Sequence, residues 1–84
     1  MTDYCVYLLE CSDGTLYCGI TRNLVKRLYD HNNSKSGAKY TLKRRPVKVL
    51  HNTEYKYSLS EAMKIERTIK KSKKGEKLTK LMEA

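Results

Sequence analysis

Tryptophan and phenylalanine are both missing from this sequence, and seven tyrosines supply all of its aromatic side chains. A buried tyrosine hydroxyl needs a hydrogen-bond partner, so we expect some of these rings to lie half-exposed or in a cleft. The sequence also has no apolar run long enough for a membrane helix or for the core of a signal peptide. We therefore expect a cytoplasmic protein with no membrane partner.

Cysteine occurs only three times, as Cys5, Cys11 and Cys18, and no pair has the Cys-x-x-Cys spacing. The odd number argues against a disulfide framework. The two histidines lie far from these cysteines in the sequence, which argues against a zinc site. Reduced thiols on strands of a cytosolic protein are the expected outcome.

Acidic residues are few, nine against eighteen lysines and arginines, which leaves a net charge of +9. Such a surplus attracts phosphate backbones and other anionic surfaces, although charge alone does not prove binding. A chain of 84 residues has room for one core, so we expect a single domain over 1–84. A monomer is expected because no exposed apolar heptad is visible.

The order of secondary structure follows from the alternation of apolar segments and turn residues. Residues that favour β-structure predict three strands, and apolar residues at helical spacing predict two helices and a short last one. The strands are expected over 4–11, 15–20 and 47–55, and the helices over 24–32, 59–71 and 76–82.

Capping residues and glycine mark the helix ends. Thr21 or Asn23 is expected to cap the first helix, and Ser58 with Glu61 has the form of a capping box before the second. Gly75 is expected to break the helical pattern near the end of the chain. The apolar stripe of the second helix consists of Leu59, Ala62, Met63, Ile65 and Ile69.

The turn between the first two strands can be built in two ways. A two-residue Asp13-Gly14 loop places Tyr7 and Tyr17 on opposite faces of the hairpin. A three-residue loop, with Gly14 in the left-handed region, pairs Cys11 with Thr15 and places both tyrosines on one face. Composition allows both loops.

Glu66 lies within the apolar stripe of the second helix, where an unpaired carboxylate is costly. A structural ion pair with a neighbouring lysine or arginine is the interpretation that the pattern alone favours. The alternative is a ligand for one divalent ion whose other positions hold water or phosphate oxygens, which is typical of magnesium.

Four further side chains have a functional and a structural interpretation. Arg27 can clamp a phosphate, or it can be a solvated helix residue. His31, one turn later, can transfer a proton or bind phosphate, or it can satisfy the last carbonyls of the helix. Tyr7 and Tyr17 can line a cleft, or they can be core aromatics, which the strand pattern alone favours.

No acidic residue occurs between Asp30 and Glu54, where six basic residues lie. Gly37 and Pro46 indicate a loop with at most one short helical turn. Its basic residues and one aromatic predict contacts with a nucleic-acid backbone and with a stacked base. These candidates are Lys39, Tyr40, Lys43, Arg44 and Arg45.

Several of these residues occur in an order that resembles a known family. Val6-Tyr7, Tyr17-Cys18-Gly19, Arg27 and Glu66 are similar to the signature of the GIY-YIG nuclease superfamily. The sequence from Gly37 to Thr41 and Arg44-Arg45-Pro46 extend the resemblance to its small stand-alone bacterial members, the UPF0213-like group. The chain departs from the signature at Cys5 and Cys18, and nothing after Glu66 matches the asparagine that many family nucleases carry.

The resemblance implies an α+β fold, in which a three-stranded antiparallel sheet is flanked by helices in the order ββαβα plus a short C-terminal helix. It also implies hydrolysis of DNA phosphodiester bonds with one Mg²⁺ or Mn²⁺, and DNA rather than RNA as the partner. Single-stranded or branched DNA is the substrate considered, and an unidentified protein partner is left open.

Carried over to this chain, the resemblance assigns a role to each matching residue. Tyr7 and Tyr17 line the active site, with Tyr7 the first choice for deprotonating water, and Gly19 belongs to the motif. Arg27 holds the scissile phosphate, and His31 assists nearby. Glu66 becomes the metal ligand, and the three-residue hairpin loop is selected. The competing hypothesis is a nucleic-acid-binding module that keeps the fold and does not cleave.

Overall fold

The first two strands form a hairpin whose turn follows the three-residue alternative. In the computed structural model, which describes residues 2–84, β1 spans Cys5–Glu10 and β2 spans Leu16–Thr21. Gly14 has φ +83°, a conformation in which a side chain is strained. The amide of Cys11 donates to the carbonyl oxygen of Thr15 at 2.8 Å. This loop sets the register that pairs Tyr7 with Gly19.

A third strand, β3 (Lys48–Asn52), pairs antiparallel with β1 on its other side, which gives the strand order β2-β1-β3. The register shifts between Leu8 and Leu9. The strand is shorter than the predicted 47–55, because Thr53 bonds to Val6 through both its backbone and its hydroxyl. The predicted three-stranded antiparallel sheet is confirmed.

Helices cover both faces of the sheet. On the face that carries Tyr7 and Leu9 lie α1 (Leu24–Asn33) and the short α2 (Lys39–Leu42). On the opposite face, α3 (Leu59–Lys71) packs on β1 and β2, and α4 (Lys74–Met82) packs on β1 and β3. The buried side chains of this second layer are Val6, Leu8, Cys18, Ala62, Ile69 and Leu81. The predicted α+β class and element order are confirmed.

Helix α1 begins at the second of the two predicted caps. The side chain of Asn23 accepts a hydrogen bond from the amide of Lys26, and the Thr21 hydroxyl accepts from the amide of Asn23. Ser58 and Glu61 form the predicted capping box of α3. The limits of α3 agree with the prediction, because its cap and its apolar periodicity lie next to each other in the sequence.

Gly75 does not break the helical pattern, contrary to the prediction. The break falls at Ser72 and Lys73, and Gly75 lies in the first turn of α4. A side chain there would meet nothing within 4 Å. None of the helices in residues 2–84 is long and apolar enough to cross a membrane.

The predicted apolar stripe of α3 is wrong at two positions. Ala62 and Ile69 are buried, whereas Leu59 and Met63 are exposed. Met63 lies one residue, about 100°, around the helix from Ala62, which turns it away from the sheet. The buried stripe is therefore narrower than the sequence pattern indicates.

Candidate active site

A line of buried hydrogen bonds joins β1, α1 and α2. The hydroxyl of Tyr7 lies 2.9 Å from His31 Nε2, and His31 Nδ1 lies 2.8 Å from Thr41 Oγ1. Tyr7 is 1% exposed, and His31 and Thr41 are 0% exposed. The hydroxyl of the buried tyrosine has therefore found the polar partner that its burial requires.

Burial controls the protonation of this pair. It raises the pKa of Tyr7, and the approach of the Arg27 side chain works in the opposite direction. Burial first, and then the charge of Arg27, lower the pKa of His31 to about 4 from its ordinary value of 6.5. Near neutral pH the phenol and the imidazole are therefore both uncharged.

Gly19 is required by the ring of Tyr7. A Cβ atom at Gly19 would lie 2.3 Å from Tyr7 Oη and 2.5 Å from Cζ, and a Cβ atom essentially never lies within 3.0 Å of a non-bonded atom. The Tyr7 ring therefore crosses the bare backbone of its partner in the adjacent strand. This contact explains physically why a glycine occupies the motif position.

Tyr17 lies half-buried on the edge strand and joins Tyr7 at the same imidazole. Its ring contacts His31 edge to face at 5.3 Å between centroids, and it stacks on Tyr40 at 5.7 Å. The guanidinium of Arg44 lies 4.0 Å from the centroid of the Tyr40 ring. The two tyrosines thus share one face of the sheet, as the resemblance requires, and α2 covers Tyr17.

Arg27 lies beside this cluster with no acidic partner. Its Nη1 donates to the carbonyl oxygen of Ser36 at 3.2 Å, and none of the ion pairs in residues 2–84 includes it. The charge of Arg27 nevertheless acts on the Tyr7–His31 pair, since it works to lower the pKa of both groups. A half-buried guanidinium without a carboxylate retains donors for an anionic ligand.

Glu66 lies on the opposite layer, behind the edge strand, with its side chain 22% exposed. Its carboxylate pairs with Lys70 one turn later, at 3.4 Å. The same ammonium lies 5.4 Å from the centroid of the Tyr17 ring. Lys70 thus links Glu66 to the tyrosine face, around the edge of β2.

The basic loop contains two arginines that form hydrogen bonds within the protein and two lysines that are exposed. Arg45 donates to the carbonyl oxygens of His31 at 2.6 Å, Asp30 at 3.3 Å and Ser34, which are the last carbonyls of α1. Arg44 donates to Asp13 at 3.0 Å and to the carbonyl oxygen of Tyr40 at 2.8 Å. Lys39 and Lys43 are exposed and form no ion pair among the described residues.

Two structural partners of the site were missed at the level of the sequence. Thr41 was noted only as part of a matching segment, yet it is the second partner of His31. Asn32 binds both the amide and the carbonyl of Val47, at 2.7 and 2.9 Å, and so ties α1 to the start of β3. Both contacts join residues at least ten positions apart, so no local pattern could have indicated them.

Comparison with known proteins agrees with this architecture. A family model described as the GIY-YIG catalytic domain matches residues 3–79. A UPF0213 protein of Syntrophus aciditrophicus is 58% identical over 73 residues, which are 87% of this chain and 83% of that protein. A UPF0213 protein of Staphylococcus epidermidis is 41% identical over 83 residues, 99% of each chain. The solution NMR structure of the protein EF2693 from E. faecalis has a TM-score of 0.64 and 38% identity, and covers 98% of this chain and 85% of that one.

Proposed function

Because the chain belongs to the family of the GIY-YIG catalytic domain, we propose that it is a metal-dependent endonuclease that hydrolyses phosphodiester bonds of DNA. The family membership indicated by the sequence is confirmed, and with it a domain of nuclease type. The metal, the substrate and the roles of individual residues are our proposal, as are a cytoplasmic location and a monomeric state.

The observation that carries the proposal is the buried Tyr7–His31 pair beside Arg27, an arginine that has no acidic partner among residues 2–84. Arg27 binds the scissile phosphate and offsets the charge that develops on its oxygens. Tyr7 accepts a proton from the attacking water. Because burial raises the pKa of Tyr7, a free phenolate is disfavoured, and the hydroxyl must release its own proton as it accepts one.

The donor set around Glu66 fits one hydrated divalent ion. A single half-buried carboxylate suits Mg²⁺ or Mn²⁺, because such an ion keeps several water ligands. The carboxylate pairs with the ammonium of Lys70, which the ion would have to replace. When bound, the ion would act as a Lewis acid toward a phosphate oxygen. Glu66 is the residue that would hold it.

We propose that Lys39 and Lys43 contact the nucleic-acid backbone, with Tyr40 beside them at the surface. Tyr40 is 36% exposed, but Tyr17 and Arg44 already stack on it, so its remaining edge is the part open to a base. Arg44 and Arg45 were also expected in this interface. Their contacts support a structural role instead, the first in fastening the hairpin turn and the second in ending α1.

Cleavage assays test the proposal. Labelled single-stranded, duplex and branched DNA are incubated with and without Mg²⁺ or Mn²⁺. We expect metal-dependent cleavage that falls by at least about 100-fold in Glu66→Ala and in Arg27→Ala, since one lost charge-stabilising group commonly costs this much. Glu76→Ala is the matched control, because Glu76 also pairs with a lysine one turn later, at 3.8 Å.

Cleavage that persists in both site variants would refute this mechanism. Binding without any cleavage would instead support the alternative, a nucleic-acid-binding module that keeps the fold. For the interface, exchanging Lys39 and Lys43 for glutamine should lower the salt dependence of binding by about two counterions. Lys56→Gln is the control, since Lys56 lies over the ring of Tyr57.

A further inference from the structure

We propose that Thr41 is a positioning residue, which holds His31 in the tautomer with hydrogen on Nδ1 and so leaves Nε2 free to accept the proton of Tyr7. The inference deepens the proposed function and rests on it, because it assigns a task within the same site. It concerns a side chain that does not reach the substrate.

The three groups form one buried line, and its Thr41 end has a second partner. Thr41 Oγ1 donates to the carbonyl oxygen of Ala38 at 2.9 Å and lies 2.8 Å from His31 Nδ1. His31 and Thr41 are completely buried. Because they are buried, their protein neighbours decide where each hydrogen lies.

The hydroxyl of Thr41 fixes the direction at one end. A threonine hydroxyl has a single hydrogen, and the carbonyl oxygen of Ala38, which also accepts from the amides of Thr41 and Leu42, can only accept; in the arrangement that we propose, the bond to Ala38 uses that hydrogen. Thr41 Oγ1 therefore presents a lone pair to His31, and Nδ1 carries the hydrogen. Gly37 keeps this segment close to α1, since a Cβ there would lie 2.8 Å from the carbonyl oxygen of Asp30.

The other end of the line is Tyr7, whose hydroxyl lies 2.9 Å from His31 Nε2. A phenol hydroxyl can donate or accept, so it follows the tautomer that Thr41 sets. With hydrogen on Nδ1, Nε2 accepts the hydrogen of Tyr7, and the nearby charge of Arg27 favours the loss of that hydrogen.

This tautomer permits a proton transfer that the other forbids. The attacking water gives a proton to the Tyr7 oxygen, and Tyr7 gives its own proton to His31 Nε2. The electron pair of the water oxygen forms the new bond to phosphorus, and the leaving oxygen departs with the pair of the broken bond. The imidazolium keeps its Nδ1 bond to Thr41, so no group has to turn. With hydrogen already on Nε2, the transfer has no acceptor.

A bound substrate makes the charges around His31 more favourable for this transfer. Arg27 and Arg45 disfavour the imidazolium, and Arg27 has the larger effect, whereas Asp30 favours it. A phosphate bound to Arg27 neutralises its guanidinium, and this removes part of the repulsion. The substrate itself therefore makes His31 a better proton acceptor.

Long-range ¹H–¹⁵N spectra of the ring nitrogens test the tautomer directly. The chain has only two histidines, so His51 serves as the internal reference. Near neutral pH, we expect hydrogen on Nδ1 of His31 in the wild type and in Thr41→Ser, which keeps the hydroxyl. In Thr41→Val, which keeps the shape without the hydroxyl, the population should shift toward the Nε2 tautomer. Thr41→Ala is the second variant if the valine does not fold.

Cleavage kinetics give the second measurement. With an active substrate, Thr41→Val should lower kcat by about 10- to 100-fold at nearly unchanged KM, by analogy with the loss of the outer hydrogen-bond partner of a metal-binding histidine. Thr41→Ser should restore most of the rate. A wild-type His31 with hydrogen on Nε2, or a tautomer unchanged in both hydroxyl-free variants, would overturn the inference. Absence of any cleavage would refute the proposed function alone, since the spectra need no substrate.

Discussion

At the scale of single residues, the most demanding contact is that of Tyr7 with Gly19. The Tyr7 ring occupies the space that any side chain at Gly19 would fill. Both the packing of β1 and the position of the Tyr7 hydroxyl therefore require a residue without a Cβ atom at this position. Well-packed interiors respond to an added methyl by shifting side chains or backbone.

We therefore expect Gly19→Ala to lower the free energy of unfolding by about 1–3 kcal/mol, because the Tyr7 ring must move. Urea denaturation measures the change. Gly75→Ala is the matched control and should raise stability by about 0.5 kcal/mol, since Gly75 lies in a helix with open space around it. Equal stability of Gly19→Ala and wild type would mean that the ring does not lie across this backbone.

Lys70 is the second residue whose contacts have consequences. Its ammonium pairs with the carboxylate of Glu66, which we propose as the metal ligand, and it also lies near the ring of Tyr17. A divalent ion at Glu66 would meet this ammonium, and like charges so close repel each other. Lys70 must therefore move when the ion binds, and its half-exposed side chain leaves it room to do so.

Replacing Lys70 with methionine should strengthen Mn²⁺ binding roughly fivefold, because two unit charges about 4 Å apart interact by about 1 kcal/mol in water. Electron paramagnetic resonance of free Mn²⁺ measures binding without nucleic acid. Lys80→Met, which removes the comparable pair with Glu76, should leave the affinity unchanged. Weaker binding in Lys70→Met would show that the lysine assists the ion and does not compete with it.

At the scale of secondary structure, the end of α1 depends on a side chain from the loop before β3. The last carbonyls of a helix lack partners within it. Arg45 donates to three carbonyls at this end, and its positive charge suits the negative end of the helix dipole. Arg45 thereby holds the turn of α1 that carries His31.

We expect Arg45→Ala to lower the free energy of unfolding by about 2 kcal/mol, because hydrogen bonds to a charged group are lost while the carbonyls remain half-buried. Amide exchange should accelerate selectively in the last turn of α1. Lys35→Ala is the control, because Lys35 lies exposed in the loop that follows α1 and forms no ion pair in residues 2–84. Uniformly faster exchange throughout the protein would point to general destabilisation and not to the loss of a cap.

At the scale of the whole molecule, buried titratable groups limit stability at both ends of the pH range. His31 binds a proton near pH 6.5 in the unfolded chain but only near pH 4 when folded. The stabilisation from keeping it neutral is present above pH 6.5 and is lost as the pH falls toward 4. Burial raises the pKa of the Cys18 thiol from 9.0 to about 12. The stabilisation from keeping this thiol neutral is therefore lost as the pH rises from 9 toward 12.

The free energy of unfolding should therefore be highest between about pH 6.5 and 9 and fall by on the order of 3 kcal/mol toward pH 4. Urea midpoints across this range measure the profile. The fall in the free energy of unfolding should be smaller toward acidic pH in His31→Gln and smaller toward alkaline pH in Cys18→Ala, whatever the effect of each substitution at pH 7. An acidic slope that is unchanged in His31→Gln would assign it to groups other than His31.

The sequence alone determined the order of the elements, the cap and limits of α3, and the family resemblance that led to Tyr7, Tyr17, Arg27 and Glu66. These features depend on residues close together in the chain or on a motif with ordered spacing, so they can be read without coordinates. The hairpin loop was ambiguous by composition, and the left-handed conformation of Gly14 settled it in favour of the alternative that the resemblance had selected.

Only the tertiary structure decided which polar groups meet. It buried His31 between Tyr7 and Thr41, directed Arg45 to the end of α1, and turned Leu59 and Met63 to the solvent. Each outcome depends on the packing of one element against another. A pattern along the chain gives the face of a helix, but the packing angle decides how wide a stripe is buried and which distant side chain completes each hydrogen bond.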